Sequence, residues 1–184
     1  GPTGSIAINS GAVFTNLTSV TLSLACSDPA GCSGMRFSND GTTFTIAESY
    51  AGSKSWSLTS GDGNKTVYVQ FQDGAGNWSG SFSDTIILDT AAPDTTITTQ
   101  PLNPTNSTSA SFSFTSTEAG STFQCELDGA GFISCSSPRS YSLLSAVSHT
   151  FKVKAIDSAA NSDLTPASYT WLIDTAKPQG TVFS

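Results

Sequence analysis

The feature that most constrains this chain is that it repeats itself. Thr15-Asn16-Leu17-Thr18-Ser19 returns as Thr105-Asn106-Ser107-Thr108-Ser109, 90 residues on. Asn39-Asp40-Gly41 with Phe44 returns as Leu127-Asp128-Gly129 with Phe132, offset by 88. Asp73-Gly74-Ala75-Gly76-Asn77 matches Asp157-Ser158-Ala159-Ala160-Asn161 at 84, and Asp89-Thr90-Ala91-Ala92-Pro93 matches Asp174-Thr175-Ala176-Lys177-Pro178 at 85. Matched blocks in one order with slowly drifting offsets mean tandem copies of one unit that differ by short loop insertions. The expected division is 1–92 and 93–178. Residues 179–184 read as the opening of a third repeat or a tail, because Pro178-Gln179-Gly180-Thr181-Val182 resembles Pro2-Thr3-Gly4-Ser5-Ile6.

Within each unit the apolar residues alternate. Val67, Val69 and Phe71 are spaced by Tyr68 and Gln70, and Phe151, Val153 and Ala155 by Lys152 and Lys154. Val20, Leu22 and Leu24, then Phe112 and Phe114, do the same between hydroxyl residues. Period two buries one face of a strand and wets the other. No stretch sustains a period of 3.6. The hydroxyls are themselves informative, since 57 of the 184 residues are Ser or Thr and only 11% are charged. Such a surface suits strands and turns better than helices. Asn39-Asp40-Gly41 and Asp128-Gly129 are expected to make tight hairpin turns. About seven short strands in 85–90 residues is the size of an immunoglobulin-like sandwich. The predicted fold is all-β, two tandem immunoglobulin-like β-sandwich domains.

Charge and composition remove several functions. With 7 basic and 14 acidic residues the chain has no surface for tracking phosphates, so no nucleic-acid partner is expected. No apolar run reaches the roughly 20 residues of a membrane span. A single histidine, His149, removes most acid–base and zinc chemistry, and it reads as an exposed turn residue. No Gly-x-Ser-x-Gly elbow is present to expose a serine nucleophile. The chain is not expected to be an enzyme.

The four cysteines fall as local pairs, Cys26 with Cys32 and Cys125 with Cys135, one pair in each unit. Four cysteines allow three connectivities, and pairing within each unit avoids tying two separately folded cores together. Cys125 and Cys135 flank the Asp128 turn and can face each other across a hairpin. No further Cys or His lies nearby for a zinc site. Disulfides are expected, and with them an oxidising compartment.

The Thr15–Ser19 run, the Asn-Asp-Gly turn, the Asp-x-Ala-Gly-Asn loop and the closing Asp-Thr-x-x-Pro resemble the bacterial immunoglobulin-like (Big-type) repeats of secreted and cell-surface proteins, including giant adhesins. The second unit, with Cys125-Glu126-Leu127-Asp128-Gly129 and Cys135, resembles a disulfide-bearing subtype. The resemblance covers essentially the whole chain. It implies a structural stalk or fibre segment at the bacterial cell surface, with neighbouring repeats of the same array or filament as its first partners. A glycan- or protein-binding accessory module is the alternative.

Some adhesin repeats of this kind bind calcium through aspartates at domain junctions. In an immunoglobulin-like topology, Asp89, Glu118, Asp157 and Asn161 would gather at one such junction as hard oxygen ligands for Ca²⁺. Asp28, Asp73 and Asn77 would occupy the equivalent pole of the first unit. The competing reading is local: Asp and Asn in Gly-rich turns bond their own backbone. Trp78 stands apart from the alternating core positions, in a loop, and is the candidate ligand-binding aromatic for a surface glycan.

Overall fold

The computed structural model describes residues 1–176, and the expected third-repeat start at 179–184 lies outside them. Backbone contacts divide the chain into Gly1–Ala91 and Ala92–Ser184. Each unit is a two-sheet β-sandwich, and no helix occurs among the described residues.

Unit 1 contains β1 (Thr3–Ile8), β2 (Phe14–Thr15), β3 (Ser19–Ser27), β4 (Cys32–Ser38), β5 (Glu48–Ser49), β6 (Ser53–Ser57), β7 (Gly63–Asp73) and β8 (Phe82–Leu88). One sheet runs β1-β3-β6 and the other β2-β8-β7-β4-β5. Unit 2 contains β9 (Thr95–Thr99), β10 (Ala110–Ser116), β11 (Thr122–Leu127), β12 (Ile133–Cys135), β13 (Arg139–Tyr141), β14 (Ser148–Ile156) and β15 (Ala167–Leu172). Its sheets run β13-β10-β9 and β12-β11-β14-β15. Apart from β2, the two orders match strand for strand. Even the short parallel pairing of Thr15 with Leu88 at the edge of unit 1 is kept in unit 2 as a single bridge from Thr105 to Ile173.

The alternating residues fill the space between the sheets. Val67, Val69 and Phe71 are fully buried, as are Phe151, Val153 and Ala155. They meet Val20, Leu22 and Leu24 in unit 1, and Phe112 and Phe114 in unit 2. Each Val, Leu or Phe among them removed from water contributes roughly 1.5–3 kcal/mol. Unit 2 is the more aromatic core: Phe112 stacks on Phe151 with centroids 4.1 Å apart, and Trp171 meets Phe112 edge-on at 5.2 Å.

Equivalent positions trade volume. Gly4 of β1 faces Phe71, and a Cβ on Gly4 would collide with the Ala25 carbonyl oxygen and lie 2.5 Å from Cε2 of Phe71. In unit 2 the corresponding residues are Thr95 and Ala155. Thr95 Oγ1 accepts the Ala155 N–H at 2.8 Å, and the Thr95 N–H donates to Oδ2 of buried Asp163 at 3.1 Å. In unit 1 the matching N–H of Phe71 donates instead to Ser79 Oγ at 2.9 Å. A buried donor is satisfied in both copies by different chemistry, as burial requires.

Both disulfides form within their units, Cys26–Cys32 and Cys125–Cys135, and no described cysteine is free. They close separations of 6 and 10 residues, for which chain entropy predicts about 2–3 kcal/mol each.

Two expectations need correction. Asp128-Gly129 does make a left-handed turn, with φ of 52° and 75°. The Asn39-Asp40-Gly41 run, in contrast, opens a longer excursion to β5 at Glu48. The Asp40 carboxylate accepts the N–H groups of Thr42 and Thr43 at 2.8 and 2.7 Å and the Ser38 hydroxyl at 2.8 Å, which curls the chain locally before it can return. His149 is not an exposed turn residue. It lies in β14 and is 5% exposed, stacked obliquely on Trp171 at 5.4 Å. Its buried phase in the strand is the one shared by Phe151 and Val153, which the short motif Ser148-His149-Thr150 conceals.

Candidate functional site

The acidic loops are built by one device used twice. At the end of β7, Asp73 accepts the N–H groups of Ala75 and Asn77 at 2.9 and 2.8 Å on Oδ1, and the Asn77 side-chain amide at 3.0 Å on Oδ2. At the end of β14, Asp157 accepts the Asn161 N–H on Oδ1 and the Asn161 amide on Oδ2, both at 2.7 Å. Each aspartate also returns its own N–H to the Asn carbonyl at 3.0 Å. These loops therefore carry the turn chemistry of Asx residues. Asp73 and Asp157 are both buried. The Asn77 side-chain amide and then its backbone N–H hold the Asp73 carboxyl below the usual carboxylate range, against the opposing effect of burial.

The other sequence-predicted ligands fall as follows. In unit 2, Glu118 sits in the loop after β10, and one of its carboxylate oxygens lies within 4.8 Å of one from Asp157. In unit 1, Asp28 turns Oδ1 back onto the Ala30 N–H at 2.8 Å and so caps its own turn. Asp89 follows β8 and accepts the Ala91 N–H at 3.1 Å, within the last residues of that unit.

Trp78 does leave the core pattern. It is half-buried, bridged to Gln72 across the end of β7, and its ring lies under the guanidinium of Arg36 at 4.2 Å. Trp56 and Tyr141, at equivalent positions, pack against the two cores as their alternation implies. Trp56 also donates its indole N–H to Asn39 Oδ1 at 2.7 Å, beside a shallow cavity of about 300 Å³. The polar groups at its rim, Asn39 and Asp40, are engaged by neighbouring protein atoms.

Two groups, Asp163 and Asp84, escaped the sequence reading, and the partners of His149 were not foreseen. Asp163 ties Thr95 and Thr165 together from inside unit 2. Asp84 accepts the Ile8 N–H at 2.7 Å, joining the two sheets of unit 1. His149 donates Nδ1–H to Asp128 Oδ2 at 2.7 Å and faces the Ser145 carbonyl with Nε2 at 3.0 Å. Asp84 and His149 are marked only by phase along β8 and β14, and Asp163, in the loop before β15, carries no mark in the sequence.

Two sandwiches of this strand order have the fibronectin-III/immunoglobulin-like fold. Solved structures sharing the fold include the fibronectin(III)-like modules of CbhA from Clostridium thermocellum, with TM-score 0.56 and 16% identity over 91% of this chain and 93% of that one. The FN1–FN3 domains of chicken CNTN1 give TM-score 0.53 and 14% identity over 92% and 66% of the respective chains. At such identities the likeness is one of fold. No family model matches the chain, and no curated protein matches it in sequence. No helix among the described residues is long and apolar enough to cross a membrane.

Proposed function

We propose that this chain is a non-catalytic stalk or fibre segment of a bacterial extracellular or surface protein, adhesin-like, built from Big-type repeats and stiffened by calcium at its domain junctions. The observation that carries the stalk reading is the repetition itself. One sandwich is built twice in tandem, each copy with its own core and its own disulfide. A chain organised this way spaces whatever lies beyond it, and fold alone assigns it no chemistry. Disulfides agree with an oxidising, extracellular setting.

Calcium is supported by the Glu118–Asp157 pair. Two carboxylates held within 4.8 Å repel one another, and a divalent cation relieves that repulsion. In this reading Asp89, preceding the linker, supplies a third carboxylate, and the Asn161 side chain a neutral oxygen. Asp28, Asp73 and Asn77 would serve the preceding junction in the same way.

The test is a thermal melt in millimolar calcium and again in chelator, with Glu118→Gln beside the parent. A ligand at about 100 times its dissociation constant adds about 2.7 kcal/mol to the state that binds it. An upward shift in calcium that Glu118→Gln removes supports the stiffened stalk. Superimposable melts would leave a stalk whose junctions act as simple hinges. Small-angle scattering at rising concentration tests the filament form, which requires growth of the particle.

A further inference from the structure

The outer face of the five-stranded sheet in unit 1 holds a guanidinium that the fold does not neutralise. Arg36 leaves β4 on the side opposite Met35 and Phe37, which are buried. Its Nε donates to Oε1 of Gln70, its cross-strand partner in β7, at 2.8 Å. Its guanidinium carbon lies 4.2 Å from the Trp78 ring centroid and 5.2 Å from that of Phe44. Two rings and an amide thus hold one flat cation in place, through two cation–π contacts and a hydrogen bond. No carboxylate among the described residues pairs with it, although acids outnumber bases two to one.

Unit 2 shows how much of this arrangement the fold itself needs. Gln124 stands where unit 1 has Arg36, and Lys154 where it has Gln70. The Lys154 ammonium lies 4.9 Å from the ring centroid of Phe132, the counterpart of Phe44. The cation has changed strands and kept its aromatic partner. One cation over one ring therefore suffices to tie this loop to the sheet. Ser162 occupies the Trp78 position in unit 2, so the second ring and the planar fork are additions peculiar to unit 1.

With Nε engaged by Gln70, the terminal nitrogens of Arg36 keep the fork geometry that receives a carboxylate through two parallel bonds. Beside it the half-buried indole of Trp78, which carries the guanidinium over one face, offers the C–H face of a pyranose the ring area that Arg36 leaves uncovered. Gln72, whose Nε2 is tied to the Gly76 carbonyl at 3.0 Å, presents Oε1 as an acceptor for a hydroxyl. A single fixed cation with an aromatic platform and an amide matches one carboxylate on an otherwise neutral sugar. A phosphate-rich polymer would need clustered bases, and the net charge of −7 opposes it.

We infer that the Arg36–Trp78–Gln72 face of unit 1 binds a carboxylate-bearing saccharide, with its carboxylate on Arg36 and its ring on Trp78. This goes beyond the stalk reading and does not require calcium, so the test is run in chelator. The probes are sialyllactose and a glucuronate-containing disaccharide, each against its neutral counterpart, with a capped glutamate peptide as the non-sugar acid. Binding is followed by chemical shifts of the Trp78 indole N–H and the Arg36 and Gln72 signals.

The expected result is saturable shifts at these residues with at least one acidic sugar. Affinity should fall about tenfold for the neutral counterpart and about tenfold again in parent-fold Arg36→Gln, as loss of a charge-assisted pair implies. Trp78→Ala, a loop substitution, provides a second loss-of-binding variant, and Lys154→Gln in unit 2 leaves binding unchanged. The inference is overturned if neither acidic sugar shifts these signals at millimolar concentration. It is equally overturned if Arg36→Gln binds as well as the parent, or if the glutamate peptide binds as tightly as the sugars.

Discussion

Asp157 receives Asn161 twice, on Oδ1 from the backbone N–H and on Oδ2 from the side-chain amide, both at 2.7 Å. Asp73 and Asn77 repeat the arrangement at 2.8 and 3.0 Å. The geometry holds even though the residue before the asparagine differs: Gly76 has φ 90°, and Ala160 at the matching position has φ 70°. An alanine there sits in the left-handed region, which costs roughly 1–2 kcal/mol relative to a right-handed residue and which glycine enters freely.

Ala160→Gly should accordingly stabilise unit 2, by up to about 1 kcal/mol once the extra freedom of glycine in the unfolded chain is set against the relieved strain. Gly76→Ala should destabilise unit 1. Amide exchange in denaturant, read at Val153 for unit 2 and Val69 for unit 1, separates the two effects. Unchanged protection at Val153 in Ala160→Gly would mean that the loop carries no such strain.

Acid should weaken unit 1 through Asp73. The Asn77 amide and backbone N–H depress its folded pKa, so its contribution is present above the unfolded value of about 3.9 and is lost as pH falls through the lower folded value. Asp73→Ala is expected to be less stable than the parent at neutral pH, with the two converging as pH falls through the lowered folded value. Parallel pH profiles for the two proteins would contradict this.

Alkali should weaken unit 2 through His149, with the opposite sign. Burial disfavours the charged ring, but the Asp128 hydrogen bond, the Ser145 carbonyl and the Asp128 charge outweigh it and raise the pKa above the ordinary value. Both ring nitrogens face acceptors, so the imidazolium is the form that satisfies them. The stabilisation is complete below about pH 6.5, the unfolded value, and disappears as pH rises through the higher folded value. An NMR titration of His149 should give the raised midpoint, and His149→Gln should flatten the pH profile of unit 2 over that window. A midpoint at or below the ordinary value would refute the assignment.

Gly4 and Phe71 should prove coupled. Gly4→Ala forces a Cβ against the Ala25 carbonyl and the Phe71 ring, an overpacking expected to cost about 1–3 kcal/mol. In Phe71→Ala, which copies unit 2 at this position, the same Gly4 substitution should cost less. Denaturation of the four proteins in a double-mutant cycle measures the difference, and strictly additive costs would show that the two sites relax independently.

The two-unit plan, the inward faces of the long strands and the local cysteine pairs were all legible along the chain. They depend on spacing: a period of two sets which side of a strand is buried, and a repeat of about 85–90 residues sets the unit. The Asp-x-x-x-Asn loops were visible for the same reason, since both partners lie within one turn. His149 was missed because a three-residue motif does not reveal strand phase, while its partners Asp128 and Ser145 come from other segments of the fold. Arg36 was passed over because its rings arrive from separate loops, Phe44 after β4 and Trp78 after β7. The swap of that cation to Lys154 in unit 2 appears only when β4 is laid beside β7 and β11 beside β14. Short-range periodicity decides what a strand buries. Which side chains then meet across the sheet depends on long-range pairing, which packing alone enforces and which leaves no mark in the local order of residues.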